Sequence, residues 1–137
     1  MNKSKSGLFL MELIIAICFF AISSAICVQL FAAAHTLSQR SKGIQMAVVN
    51  AQSVAEGFRV FGSDMETLAS FWNTSPIGDS FVAWFNEDWK NVGHSERFSM
   101  TVHADKSVVP ARLSIVVTDT VLKSELYSVS VSRYLGR

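Results

Sequence analysis

The chain has 137 residues and a formal net charge of +1, and half of its residues are hydrophobic. That length suits one modest domain, and the near-neutral charge excludes an overall electrostatic case for nucleic acid or an acidic partner. The apolar residues are unevenly spread: from Leu8 to Ala34 the only strongly polar side chains are Glu12 and Gln29, with Ser23 and Ser24 between them.

The first element is therefore an apolar helix. Leu13 to Ala34 is about 22 residues, or about 33 Å as helix, against a hydrocarbon core of about 30 Å. It lacks the polar face of a soluble core helix, so it is expected to cross a membrane. Lys3 and Lys5 precede it, and Arg40 and Lys42 follow, so charge asymmetry orients it only slightly. The strand-rich back half has the pattern of an exported domain, which puts the N-terminus in the cytoplasm. A cleaved secretory signal is the competing reading, with Ala32-Ala33-Ala34 as its cleavage site. The apolar run is longer than the usual ~7–15 residues of such signals, and a carboxylate interrupts its start. A lipoprotein signal fits less well, because Ile17 and Ile26 stand before Cys18 and Cys27. On a helix those cysteines are about 13.5 Å apart along the axis, beyond disulfide reach, and they read as small hydrophobes.

Glu12 is the exception in this run. A carboxylate at mid-membrane costs roughly 2.5–3.5 kcal/mol, and less near the interface, where it can reach water. Its surroundings give it a second meaning. The run Lys5-Ser6-Gly7-Leu8-Phe9-Leu10-Met11-Glu12-Leu13 resembles the cleavage motif of the type IV pilin superfamily. There, a short basic leader ends in glycine, a hydrophobic residue follows the cut, and a glutamate comes four residues later, at the start of a long apolar helix. Leu8 stands where phenylalanine is commoner, and Phe9 where threonine or serine is common. Gln29 stands where many major pilins carry a helix-bending proline. These differences suit a minor pilin or pseudopilin.

The resemblance implies cleavage between Gly7 and Leu8 by a prepilin peptidase that also methylates the new amine of Leu8. It implies that Glu12 pairs with the terminal amine of a neighbouring subunit and so sets axial register. Other pilin or pseudopilin subunits, an inner-membrane assembly platform and membrane lipid are the implied partners. Residues 1–7 would be the leader, 8–34 the transmembrane and assembly helix, and 35–137 the extracytoplasmic domain.

Beyond Ala34 the pattern becomes striped. Leu37, Ile44, Ala47, Val48, Ala51, Val54, Ala55, Phe58 and Phe61 recur at steps of three and four, the mark of an amphipathic helix. No proline separates it from the apolar run, so one helix is expected from about Leu8 to Phe61, with Gly62 as its stop. The stripe is expected to be the face on which the soluble domain packs.

Ser63 and Glu66 read as a capping box opening a short helix over 64–72, and Asn73 to Ser80 as a loop. From there the period falls to two. Phe81 to Phe85 leads to a turn at Asn86-Glu87-Asp88, and Trp89 to Val92 returns beside it. Phe98, Met100, Val102 and Ala104 alternate with polar neighbours, as do Leu113, Ile115 and Val117, and Tyr127, Val129 and Val131. Breaks at Asp105-Lys106 and Lys123-Ser124 suit hairpins. The expected fold is α+β: a long N-terminal helix, membrane-spanning in its first half, whose second half packs on a C-terminal antiparallel sheet over about 81–134.

No catalytic constellation stands out, and the reading is of a non-enzyme without cofactor or metal. His35, His94 and His103 lack ligand spacing, and His103 falls on the polar face of its strand. Asp79, Glu87 and Asp88 do not match a calcium loop and read as turn residues. Asn73-Thr74-Ser75 is a glycosylation sequon by letter only. The basic residues are scattered singly and read as solvated surface, so contact with DNA is not indicated. The functional expectation is a minor pilin or pseudopilin of a pilus-like, competence or type II secretion-like filament. The alternative is a static single-pass anchor with an extracytoplasmic binding domain, which would keep residues 1–7.

Overall fold

A computed structural model describes residues 2–134. Helix α1 runs from Asn2 to Phe61 and α2 from Met65 to Ser70. Strands follow at Ser80–Phe85 (β1), Asn91–Val92 (β2), Phe98–Asp105 (β3), Ala111–Asp119 (β4) and Ser124–Arg133 (β5). The fold is α+β, a long N-terminal helix against a five-stranded antiparallel sheet. Contacts divide the chain into two compact units, Met1–Ser41 and Lys42–Arg137.

In the first unit α1 begins earlier than Leu8, taking in Asn2 to Ser6 ahead of Gly7. Nothing there breaks a helix, since Lys, Ser and a single Gly are tolerated. Its apolar side chains, Ile14, Phe20 and Phe31 among them, are exposed on every side.

In the second unit α1 buries a narrow strip of Gly43, Ala47, Ala51, Val54 and Phe58, spaced at four, four, three and four. The strip is narrower than the sequence pattern, because Ile44 and Phe61 remain 38% and 43% exposed. Gly43 faces Leu126 of β5, where a Cβ would lie 3.9 Å from Leu126 Cδ1, and Ile44 next to it is left at the margin. The helix ends where expected. Gly62 has φ of 70°, and its N–H donates to Phe58 O at 2.9 Å, the one-bond αL cap that glycine suits best. Arg133 Nη1 donates to the same carbonyl at 3.1 Å.

The short helix is capped one residue later than the sequence suggests. Asp64, not Ser63, is the N-cap, its carboxylate accepting from Thr67 N and from the Thr67 hydroxyl. The helix stops at Ser70 rather than Trp72, and a tighter turn from Trp72 N to Ala69 O closes it. Starting at Met65 places Met65, Leu68 and Ala69 in the core. Packing of those apolar residues selects between two adjacent residues that are both good caps.

Period-two alternation is realised in β1, β3 and β4, whose inward residues are buried in turn. Phe81, Phe85, Met100, Val102, Leu113, Ile115 and Val117 form the centre of the core with Val54 and Phe58. Each such side chain contributes roughly 1.5–3 kcal/mol on leaving water. The sheet order is β2-β1-β3-β4-β5, so β2 pairs on the outer side of β1 and β3 on its inner side. The β1–β2 turn is held by Asn86, whose side-chain oxygen accepts from Asp88 N and Lys90 N. An aromatic chain closes that end: Trp72 meets Phe85 edge-on at 5.7 Å, and Trp89 stacks on Phe98 at 4.2 Å. β4 and β5 lose register between Val117 and Thr118, where Leu126 is the extra residue and packs against the core.

Candidate functional site

The residues singled out by the sequence, Gly7, Leu8 and Glu12, lie in the first turns of α1. Leu8 and Glu12 are one turn apart on the same face, about 6 Å along the axis. Leu8 is 71% exposed. A Cβ built on Gly7 would meet nothing within 4 Å, and Gly7 is not among the residues with positive φ. Packing and backbone geometry therefore do not require glycine there, and a helix-interior glycine costs about 1 kcal/mol relative to alanine. Any demand for Gly7 comes from outside this chain's fold. Among the described residues no basic group lies within ion-pair distance of Glu12.

The segment that follows has the chemistry of a membrane span. One helix is long and apolar enough to cross a bilayer, and its most apolar stretch is not buried in the chain. Its hydroxyls are spent on its own backbone. Ser23 donates to Phe19 O at 2.9 Å, Ser24 to Phe20 O at 2.8 Å and Thr36 to Ala32 O at 3.0 Å. A polar group without a partner in hydrocarbon costs several kcal/mol, and bonds to carbonyls one turn back remove that cost. Cys18 and Cys27 are free and exposed.

The second unit offers no comparable constellation among its described residues. No group of three or more His, Cys, Asp or Glu side chains is placed to hold a metal ion. Asp79 and Glu87, considered together for calcium from sequence, sit beyond opposite ends of β1 and pair elsewhere: Asp79 with Lys106 at 2.6 Å, Glu87 with Arg97 at 2.9 Å. His103 is exposed, as its strand position implies, and its Nδ1 lies 2.7 Å from Ser80 Oγ, its cross-strand neighbour. An open apolar hollow of about 290 Å³ is lined by Ser53, Gly57, Phe61, Leu68, Phe71 and Trp72.

Sequence reasoning missed Asp119. It is 3% exposed, its Oδ1 accepts from Val121 N and Leu122 N at 3.0 Å each, and its Oδ2 lies 3.7 Å from Arg97 Nε. Arg97 also packs its guanidinium over the Phe98 ring at 5.3 Å. The available signal was an aspartate directly before a hairpin break, a place where its side chain can bond the turn's N–H groups.

Neither a protein-family model, nor a curated protein, nor a solved structure matches the chain. The fold and the apolar helix define a class on their own: an α+β domain carried on a helix able to cross a membrane.

Proposed function

We propose that the chain is a pilin-like assembly subunit, a minor pilin or pseudopilin, made as a precursor and clipped between Gly7 and Leu8. The observation that carries this reading is Gly7 and Glu12 in their spacing at the head of an unbroken apolar helix. Gly7 has no packing role within the chain, which fits recognition by a peptidase. Glu12 has no partner among the described residues, which fits a partner in another chain.

In this reading the N-terminus is cytoplasmic and the α+β domain extracytoplasmic. The new amine of Leu8, once methylated, and the carboxylate of Glu12 carry opposite charges one helical turn apart. In a bundle of apolar helices an unpaired charge is costly and attraction is strong. A subunit entering the bundle is therefore favoured in the register that brings its Glu12 to the terminal amine of its neighbour. Competence, secretion, adhesion and motility filaments share this front end.

The second reading is a static anchor whose domain binds a partner, and the apolar span by itself would serve it equally well. Intact mass and N-terminal peptide mapping of the protein from its native membrane separate the two. A chain beginning at Leu8 with one added methyl group supports the assembly subunit. A chain retaining residues 1–7, with the peptidase present and active, leaves the static anchor. A start at His35 would instead mean a cleaved secretory signal.

A further inference from the structure

We propose that the β4–β5 turn is a second membrane contact, with Val121 and Leu122 dipping into the boundary between headgroups and acyl chains of the bilayer that holds α1. This rests on the reading of the apolar run as a membrane span.

Within the second unit, α1 and β5 run side by side in the same direction. A Cβ on Gly43 would lie 3.9 Å from Leu126 Cδ1, and Arg133 Nη1 reaches Phe58 O at 3.1 Å. The turn preceding β5 therefore lies at the end of the unit where the chain enters it, at Lys42. The β3–β4 turn, beside the Ala111–Arg133 pair, lies at the far end. Both turns expose valine or leucine: Val121 and Leu122 are each 68% exposed, and Val109 is 83% exposed. Only the first pair sits at the entry end.

That tip is built to leave water cheaply. The N–H groups of Val121 and Leu122 already bond to the buried Asp119 carboxylate. The Thr120 hydroxyl lies within bonding distance of the carbonyls of Glu96 and Arg97. Backbone donors satisfied internally do not have to give up water when the tip enters an apolar phase. The charges alongside do not add up to a positive patch, since Arg97 is shared between Glu87 and Asp119 and Lys123 stands two residues from Glu125, so the attraction is apolar rather than electrostatic. His35 to Lys42 join the apolar run to Gly43, a tether of about 12 Å as helix. On so short a tether, a contact too weak to hold a free protein on a bilayer becomes effectively intramolecular.

The test uses the full chain with Cys18→Ala and Cys27→Ala, reconstituted in phosphatidylcholine vesicles. Single nitroxides are attached at Leu122→Cys, Val109→Cys or Ala21→Cys, with Val121→Cys as a second tip site. Collision with oxygen against a water-soluble nickel chelate reads depth. The proposal expects positions 121 and 122 to share the oxygen-rich, nickel-poor signature of position 21. Their oxygen-to-nickel ratio should be several-fold above that at 109, and adding an anionic lipid should leave it unchanged. If 121 and 122 behave like 109 while 21 is embedded, the turn does not touch lipid and the span stands. An aqueous position 21 removes the span and the proposal together. Immersion at 122 that appears only with anionic lipid would mean an electrostatic contact and would overturn the apolar one.

Discussion

At Asp119 a single carboxylate organises a whole turn. Removing it leaves the N–H groups of Val121 and Leu122 without their acceptor and takes the carboxylate from beside Arg97, which keeps its bond to Glu87. A stranded buried polar group costs about 1–3 kcal/mol. Asp119→Ala is therefore expected to lower the unfolding midpoint of the second unit, read by denaturant titration in detergent. Asp119→Asn keeps an acceptor for the turn and should lose less. Two exposed aspartates act in the same way more weakly. The hydroxyl and N–H of Thr67 hold the Asp64 carboxyl below its usual 3.8, and those of Ser107 do the same for Asp105. A carboxyl whose pKa falls on folding stabilises the fold above its unfolded value and loses that contribution as pH drops through the lower folded value. Thermal stability should thus decline below about pH 4. Asp64→Asn and Asp105→Asn should flatten that decline, and an unchanged pH profile in the double variant would show that these bonds do not contribute.

Between α1 and α2 the contact is set by an absence of side chain. A Cβ on Gly57 would stand 2.7 Å from Leu68 Cδ2, and Leu68 is 2% exposed, so it has little room to move. Replacing an ordinary helix-interior glycine by alanine brings about 1 kcal/mol of stability. Gly57→Ala should fail to show that gain, and Gly57→Val should destabilise by about 1–3 kcal/mol through overpacking. The pair is measured in one urea series, and a stabilised Gly57→Ala would mean that α2 can shift without cost. Gly7 makes the opposite case within the same helix. With nothing near it, Gly7→Ala should leave folding unchanged or slightly improved.

For the whole molecule the two ends of α1 answer to different constraints. The core of the second unit dictates which residues α1 buries between Gly43 and Phe58. Ahead of Ser41 the described side chains of α1 are exposed, Ser23 partly so, and the proposed reading assigns them to the membrane and to other subunits. The proposed processing separates the roles of the two front residues. Bulkier residues than alanine at Gly7 should leave the precursor uncut, seen as retained mass on gel or by mass spectrometry. Glu12→Ala should be cut and methylated normally yet be depleted from sheared filaments relative to the unaltered chain. Normal incorporation of that variant would remove the charge-pairing account and leave the cleavage reading in place.

Local physics decided much of this protein from the amino-acid order alone. Alternation at Phe81–Phe85 and Phe98–Ala104 dictates which faces of those strands are buried, because successive side chains on a strand point to opposite sides. Gly62 ends α1 because its positive φ and αL cap are local properties. An apolar run about 22 residues long needs no tertiary partner to be suited to a bilayer. What the sequence left open depends on which surfaces meet. Alternation marks a buried face but not a neighbour, so although the turn at Asn86 already put β2 beside β1, the placement of β3 on the other side of β1 came only from the assembled sheet. The stripe on α1 contained more apolar residues than the sheet covers: Ile44 stays at the margin and Phe61 lies against Phe71 instead. Asp119 looked like any turn aspartate until the sheet closed around it, because burial is a property of what packs on a residue and not of the residue.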